Sequence, residues 1–127
     1  MRLMWHAAIS KSGFTSQIGG DDDKLASGKW LVPIALGDPE GIWRKLAEAA
    51  AHGDLAAVKI SSARLDVKLG HHLVCAYCKT SQENDVSETL TKLRNLGATG
   101  DLRYKSDRAT LQCRDEYLWH STELESI

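Results

Sequence analysis

HHLVCAYCK, residues 71–79, decides the fold, because every position in the middle of this stretch is apolar. Side chains of a strand alternate between two faces, so a strand of this kind is covered on both sides and lies in the centre of a sheet. The preceding stretch AAVKISS (56–62) is also typical of a strand, and only a loop ending at Gly70 separates the two. Consecutive strands with no helix between them indicate antiparallel pairing.

Three more stretches have a strand-like composition, and they lie before and after this pair. They are GKWLVPI (28–34), DLRYKSD (101–107) and TLQCRDEYLWH (110–120). The last two are separated by a short turn near Asp107 and are predicted to form a hairpin. Pro33 cannot donate a hydrogen bond to a neighbouring strand, so it marks an edge of the sheet or the end of its strand.

Two stretches have the periodicity of amphipathic helices. The first covers about 39–52, with Asp38 as its N-cap, Pro39 in the first helical position and Gly53 just beyond its end. The second covers about 85–96. The order β-α-β-β-α-β-β predicts an α+β fold, in which a curved, mainly antiparallel sheet carries the two helices on one face.

The chain of 127 residues carries 16 basic and 17 acidic residues, for a formal net charge of −1. A near-neutral chain argues against binding to nucleic acids or membrane surfaces through bulk charge, although it leaves room for a local basic site. No apolar run reaches the roughly 20 residues of a membrane span, so no membrane partner is expected. The three cysteines leave at least one thiol unpaired, which favours a cytoplasmic protein, with a nuclear location as the alternative.

One α+β domain is expected over residues 28–120. Residues 1–27 lack clear periodicity and contain a pair of glycines followed by three aspartates, so they are interpreted as a flexible N-terminal arm. Residues 121–127 are acidic and are interpreted as a frayed tail. The aspartates of the arm lack the further oxygen ligands at fixed spacing that a calcium loop requires, so a solvated turn is expected there.

Basic side chains alternate with apolar ones along the strand-like stretches. Lys59 lies between two apolar residues, and Arg103 and Lys105 lie on either side of Tyr104. If the apolar positions pack under the helices, the basic ones share the opposite face, where Arg can hold two phosphate oxygens and Lys adds a compact charge. The ligand-binding residues predicted on this basis are Lys59, Arg103, Lys105, Arg64 and Lys29. The alternative is a solvated face whose charges pair with nearby aspartates, namely Asp101, Asp107 and Asp115.

Several short motifs, taken together and in order, resemble a known family. They are GKWLV (28–32), GDLAAVKIS (53–61), HHLVCAYC (71–78) and LRNLGATGDLRYKSD (93–107), with Trp43, Leu46 and Ala47 of the first helix and the later Thr110. Over about residues 28–111 the chain resembles the basophilic-leukaemia-expressed protein family, a group of small proteins of unknown function. The resemblance implies a fold similar to that of the mRNA cap-binding translation initiation factor 4E, and the family has also been likened to bacterial phosphothreonine lyases.

The lyase comparison implies a particular pair of catalytic residues. Elimination of phosphate needs a Lys to remove a proton and a His to protonate the leaving group. In this chain Lys59 and either His71 or His72 would fill these roles if the protein is such an enzyme. Ser61 stands at the position where the alternating His of those lyases is expected, so the chain departs from their pattern.

Cap binding and metal binding each need residues that this sequence places differently. A cap is held between two Trp rings, whereas Trp30 and Trp43 have the spacing of core residues. Cys75 and Cys78 form a C-x-x-C pair, but positions i and i+3 of a strand face opposite sides, so they are expected to be buried thiols. No metal or other cofactor is predicted.

The sequence therefore predicts a domain that binds a phosphorylated ligand on the basic face of its sheet. The ligand classes considered are a nucleotide, a short RNA and a phosphopeptide. The alternatives are a phosphothreonine lyase-like enzyme and a protein-interaction module without a small ligand. The identity of the ligand and the oligomeric state stay open at this point.

Overall fold

In a computed structural model, the chain is described at residues 5–9, 13–17 and 22–125. The strands are β1 (Trp5–Ile9), β2 (Gly28–Ile34), β3 (Ala57–Ser61), β4 (His72–Cys78), β5 (Arg103–Ser106) and β6 (Trp119–His120). The helices are α1 (Ile42–Ala51), α2 (Ala63–Leu69), α3 (Glu83–Asn95), α4 (Asp107–Leu111) and α5 (Ser121–Glu125), and a short 3-10 helix covers Asp23–Leu25. Within these ranges no helix is long and apolar enough to cross a membrane.

The strands form one sheet in the order β1-β3-β4-β2-β5-β6, and each neighbouring pair is antiparallel. The sheet is curved, with β1 and β6 as its outer strands. β4, with its apolar middle, lies between β3 and β2 in the interior of the sheet, as its sequence predicts. The predicted α+β class with a mainly antiparallel sheet is confirmed.

The hydrophobic core lies between one face of the sheet and the two long helices. Leu46 of α1 and Leu93 of α3 are fully buried in the same cluster as Trp30 of β2, so both helices pack on the same face, as expected. The Trp30 indole donates a hydrogen bond to the carbonyl of Val86 in α3 at 3.0 Å, and its ring meets the ring of Tyr104 edge-on at 5.4 Å. Core side chains therefore fill most of this face of the sheet.

The start of α1 shows how local sequence sets the position of a helix. The Asp38 carboxylate accepts hydrogen bonds from the backbone N–H groups of Ile42 and Trp43, each at 2.9 Å, which satisfies two donors that a helix leaves unpaired. The helix itself begins at Ile42, because Pro39 lies in the turn that precedes it. Gly41 occupies the N-cap position. The predictions of Asp38 as the N-cap residue and of Pro39 in the first helical position are therefore wrong, although the Asp38 carboxylate accepts hydrogen bonds from the start of the helix.

The predicted strand over 110–120 is also wrong. β5 ends at Ser106, whose hydroxyl accepts a hydrogen bond from the backbone N–H of Ala109 at 3.0 Å and so caps α4. A helix therefore follows β5 directly, where a hairpin turn was expected. Only Trp119–His120, at the end of the predicted strand, pairs with β5.

Regular structure extends into both ends of the chain, where none was predicted. In the segment interpreted as a flexible arm, β1 pairs with β3 along its whole length, and Gln17 is hydrogen-bonded to Ser27. The segment interpreted as a frayed tail forms α5, and Glu125 of α5 makes a two-pronged ion pair with Arg94. The paired glycines and the first aspartate of the arm, at 19–21, lie outside the described residues.

Candidate functional site

The face of the sheet opposite α1 and α3 carries the predicted basic residues. Val58 and Tyr104 lie in the core, and the residues next to them in sequence therefore point to the other side. Lys59, Arg103 and Lys105 all lie on this opposite side, which is called the basic face below. The alternation seen in the sequence thus corresponds to the two faces of the sheet.

The basic residues are spread across the face. Lys59 of β3 is opposite Cys75 of β4, Cys75 is opposite Leu31 of β2, and Leu31 is opposite Arg103 of β5, so these four residues form one row across the sheet. Three steps of about 4.8 Å between neighbouring strands place Lys59 and Arg103 about 14 Å apart. The face therefore holds two separate basic clusters.

The first cluster, here called the Lys59 cluster, consists of Lys59, Trp5, Tyr77 and Phe14. The Lys59 Nζ lies over the Trp5 ring at 4.4 Å from its centroid and over the Tyr77 ring at 5.6 Å. Phe14 covers the Tyr77 ring with a centroid distance of 5.2 Å, and burial raises the pKa of the Tyr77 hydroxyl. The rings attract the ammonium through their negative faces and hold it on this part of the sheet.

The second cluster, here called the Arg103 cluster, consists of Arg103, Lys105 and Tyr117. The exposed Arg103 guanidinium lies over the Tyr117 ring at 5.2 Å from its centroid. Lys105 is half-buried and follows on the same side of β5, about 7 Å along the strand. The cluster thus combines an arginine that lies over an aromatic ring with a lysine two residues further along the same strand.

Lys29 also faces this side of the sheet, but its charge is already neutralised. Its Nζ donates to the Asp107 carboxylate at 2.8 Å and to the Thr110 hydroxyl at 2.5 Å, and the lysine is only 7% exposed. Ser27 donates to the other oxygen of Asp107 at 2.6 Å. Lys29 therefore ties α4 to β2, and the prediction that it binds a ligand does not match its surroundings.

The charges of the two clusters have no acidic partner in the part of the chain that the structure describes. Ion pairs there involve other basic residues, and none joins a carboxylate to Lys59, Arg103 or Lys105. Asp107, one of the aspartates considered as a partner, is paired with Lys29 instead. Arg64, the remaining predicted binding residue, lies exposed on α2.

The histidines are placed differently from what a lyase needs. His72 is opposite Ile34, a core residue, so it lies on the helix side of the sheet, whereas Lys59 lies on the basic face. His71 lies just before β4, with its Nδ1 2.7 Å from the carbonyl oxygen of His72. The structure does not bring either imidazole together with the Lys59 ammonium.

His72 instead belongs to a hydrogen-bonded network around Asp66. Its Nδ1 donates to the Asp66 carboxylate at 2.7 Å, and its Nε2 accepts from the backbone N–H of Gly37 at 3.2 Å, which fixes the neutral imidazole with its proton on Nδ1. The Ser61 hydroxyl donates to the other carboxylate oxygen. Burial raises the pKa of Asp66, but the hydrogen bonds from Ser61 and His72 outweigh it, so the pKa lies below its usual range.

The two cysteines of the C-x-x-C pair lie on opposite faces of β4, as expected. Each is 3% exposed, and burial raises the pKa of each thiol to about 11. Cys75 lies under the basic face in the row between Lys59 and Arg103, whereas Cys78 lies in the core. In the described ranges, no group of three or more His, Cys, Asp or Glu side chains is arranged to hold a metal ion.

The aromatic residues of the basic face were not predicted from the sequence. Trp30 and Trp43 pack in and against the core, as their spacing predicts, and neither lies on the basic face. The ring that does lie there is Trp5, in a strand too short to be recognised by its pattern. Tyr77 follows the core residue Ala76 in β4, so the alternation of the strand would have predicted that Tyr77 lies on the basic face.

A cleft lies at one end of the sheet, between the end of β4 and α3. It has a volume of about 430 Å³ and is bordered by Asp54, Asp85 and Glu88 as well as by Lys79 and Lys92. Lys92 is paired with Glu88 and also donates to the carbonyl of Asp54. Because its charges are of both signs, this cleft is a weaker site for an anion than the basic face.

The family comparison agrees with the motifs noted in the sequence. None of the curated proteins matches the chain. The model of the family described as "Basophilic leukemia-expressed protein Bles03" matches residues 20–110, which include β2 to β5 and the helices α1 to α3. Since that match covers most of the chain, the protein belongs to the Bles03 family.

Proposed function

We propose that the protein binds a phosphorylated ligand on the basic face of its sheet. The observation that carries this proposal is that Lys59, Arg103 and Lys105 lie on one face without an acidic partner among the described residues. Cations on one surface repel each other, and a bound anion removes that repulsion. Charge-assisted hydrogen bonds from Arg and Lys to phosphate oxygens are the strongest that this face can make.

No observation favours the lyase-like alternative over binding. General acid–base catalysis needs both groups within hydrogen-bonding reach of the reacting atoms. Lys59 and His72 lie on opposite faces of the sheet, and the His72 imidazole is engaged with Asp66 and Gly37. We therefore propose ligand binding without a chemical step.

Binding titrations with three probes test the proposal: ATP, a phosphothreonine peptide and a single-stranded RNA hexamer. At least one probe is expected to bind, and affinity is expected to fall as salt rises. Lys59→Ala and Arg103→Ala should each weaken binding by about 1–3 kcal/mol, because each removes a charged donor. None of the probes should be chemically changed.

The matched control is Lys45→Ala, which removes the same charge from an exposed position on α1, on the other side of the sheet. This variant should bind the probes like the unchanged protein. An equal loss of affinity in the Lys45 and Lys59 variants would show that only the overall charge matters. Release of phosphate with formation of an unsaturated residue from the peptide would establish the lyase-like activity instead.

A further inference from the structure

The geometry points to a single-stranded nucleic acid as the ligand, and we infer that it runs across the strands from the Lys59 cluster to the Arg103 cluster. This inference rests on the proposed function, because it assumes that phosphate groups bind to the basic face. It adds the class of ligand, its direction across the sheet and the contribution of the aromatic rings.

Each cluster combines a cation with the face of an aromatic ring. Lys59 lies 4.4 Å from the centroid of Trp5, and Arg103 lies 5.2 Å from that of Tyr117. Proteins that bind single strands use this combination, since the cations follow the phosphates while the bases stack on rings or on the guanidinium plane. Every base has a flat face that can stack on a ring, so a surface of this kind binds single strands of any sequence.

The spacing of the clusters requires a ligand with more than one phosphate group. The clusters are separated by two strands, or about 14 Å. A phosphate oxygen within hydrogen-bonding distance of Arg103 is therefore remote from Lys59. At a rise of about 3.4 Å per stacked nucleotide, a strand of about four nucleotides spans this distance.

Among the described residues, the row that joins the two clusters carries no uncompensated negative charge. The row from Lys59 to Arg103 passes over Cys75 and Leu31, both of which are uncharged. Asp107, which reaches the neighbouring row, is neutralised by Lys29. A polyanion that crosses the sheet therefore meets no repulsive group along this row.

Two other classes of phosphorylated ligand fit this surface less well. A phosphopeptide is held by several cations that converge on one phosphate, whereas these cations are divided between two sites. A duplex keeps its bases stacked inside and offers no free base face to a ring. Equally tight binding of either class would count against the inference.

The length of the oligonucleotide is the first variable to measure. Fluorescence anisotropy with labelled oligouridylates of two, four, six and eight nucleotides should show affinity that rises at least 10-fold from two to six nucleotides and then levels off. The slope of log K against log salt should be about −2 for the hexamer, since three cations each contribute about −0.7 with a single strand. Lys59→Ala should reduce the size of this slope by about 0.7, and Lys45→Ala should leave it unchanged.

The rings are tested separately from the charges. Tyr117→Leu removes a stacking face and should weaken hexamer binding by about 5- to 150-fold without changing the salt slope. Tyr117→Phe keeps the ring and should bind like the unchanged protein, which separates stacking from a merely structural effect. Thermal unfolding of both variants confirms that they are folded under the conditions of the titration.

The outcomes distinguish this inference from the proposed function. If uridine monophosphate or a phosphothreonine peptide competes as well as the hexamer, the nucleic-acid inference is overturned and phosphate binding stands. A duplex that binds as tightly as the single strand overturns it as well. If no phosphorylated probe binds, both the inference and the proposed function fail.

Discussion

The same residue type has two different roles on one face of the sheet, according to what covers it. Lys29 is buried beneath α4 and paired with Asp107, whereas Lys59 lies against the Trp5 ring with no carboxylate near it among the described residues. Burying an unpaired charge is costly, so a buried lysine requires a partner and an accessible lysine does not. Only the second kind has a charge available for a ligand.

The hydrogen-bonded carboxyl of Asp66 should make the stability of the fold depend on pH. Its pKa is lower in the folded chain than in a free carboxyl, so the unfolded chain binds more protons at acidic pH. The ionised form of Asp66 therefore stabilises the folded state. This stabilisation is complete above about pH 3.9, the pKa in the unfolded chain, and is lost as pH falls through the lower pKa of the folded chain. Urea unfolding should show a free energy that decreases below about pH 4.

The variant Asp66→Asn should show a smaller decrease of unfolding free energy over the same pH range, because the amide does not titrate. Asp101→Asn is the matched control, since Asp101 is an exposed carboxylate. This control should follow the unchanged protein at every pH. Identical pH profiles for the Asp66 variant and the unchanged protein would contradict the role of its hydrogen bonds from Ser61 and His72.

The attachment of α4 to the sheet depends on the buried ion pair between Lys29 and Asp107. Lys29 and Asp107 are both nearly buried, so Lys29→Ala leaves a buried carboxylate without its partner. Removing one member of a buried pair costs about 3–5 kcal/mol, and chemical denaturation should show a loss of this size. Lys59→Ala, which removes an accessible lysine from the same face, should cost less than about 1 kcal/mol.

A double replacement separates the loss of the pair from a loss of packing. Lys29→Met together with Asp107→Leu removes both charges and should be much less destabilising than Lys29→Ala alone. If the single and double variants are equally unstable, the contact between α4 and β2 depends on shape rather than on charge. The salt bridge would then have no special part in holding the helix.

Elements with strong periodicity were predictable, and short ones were not. β4, α1 and α3 have long, regular patterns, and the structure contains each of them close to the predicted position. α4 has only five residues and begins directly after the last residue of β5, so its sequence continues the strand-like alternation. The pairing partners of a strand come from contacts distant in sequence, which local pattern does not specify.

The same limit applies to the candidate site. Alternation alone places Lys59, Arg103 and Lys105 on one side of the sheet, because this side depends only on the period of a strand. The order of the strands decides how far apart they lie and which rings they meet. Since β4 and β2 separate β3 from β5, the sequence could not predict two clusters, nor the contact of Lys59 with Trp5.

In the molecule as a whole, the sheet separates a side filled by the core from a side that α4 and Phe14 cover only in part. The core with α1 and α3 fills one side, and the basic face with its rings occupies the other. β4 runs through the middle and contributes one cysteine to each side. The two thiols therefore report on the two sides of the same strand.

Thiol reactivity tests this division. A thiol reacts as its thiolate, and burial raises the pKa of Cys75 and Cys78 to about 11, so both should react slowly in the folded protein. Cys113 is exposed, and at pH 8 it should be the one rapidly reacting thiol of the three cysteines, which Cys113→Ser would remove. Two or three rapid thiols would show that the sheet is not covered as described.

The labelling rates of the two buried thiols also test where the proposed ligand binds. In Cys113→Ser, Cys75 and Cys78 should be labelled at one common rate if both sides open only when the whole domain unfolds. Faster labelling of Cys75 would mean that the basic face uncovers on its own. Cys75 lies in the row between Lys59 and Arg103, so in that case a bound RNA hexamer should slow the labelling of Cys75 as well as that of Cys78. Labelling of Cys75 that stays unchanged while that of Cys78 slows would place the ligand elsewhere on the molecule.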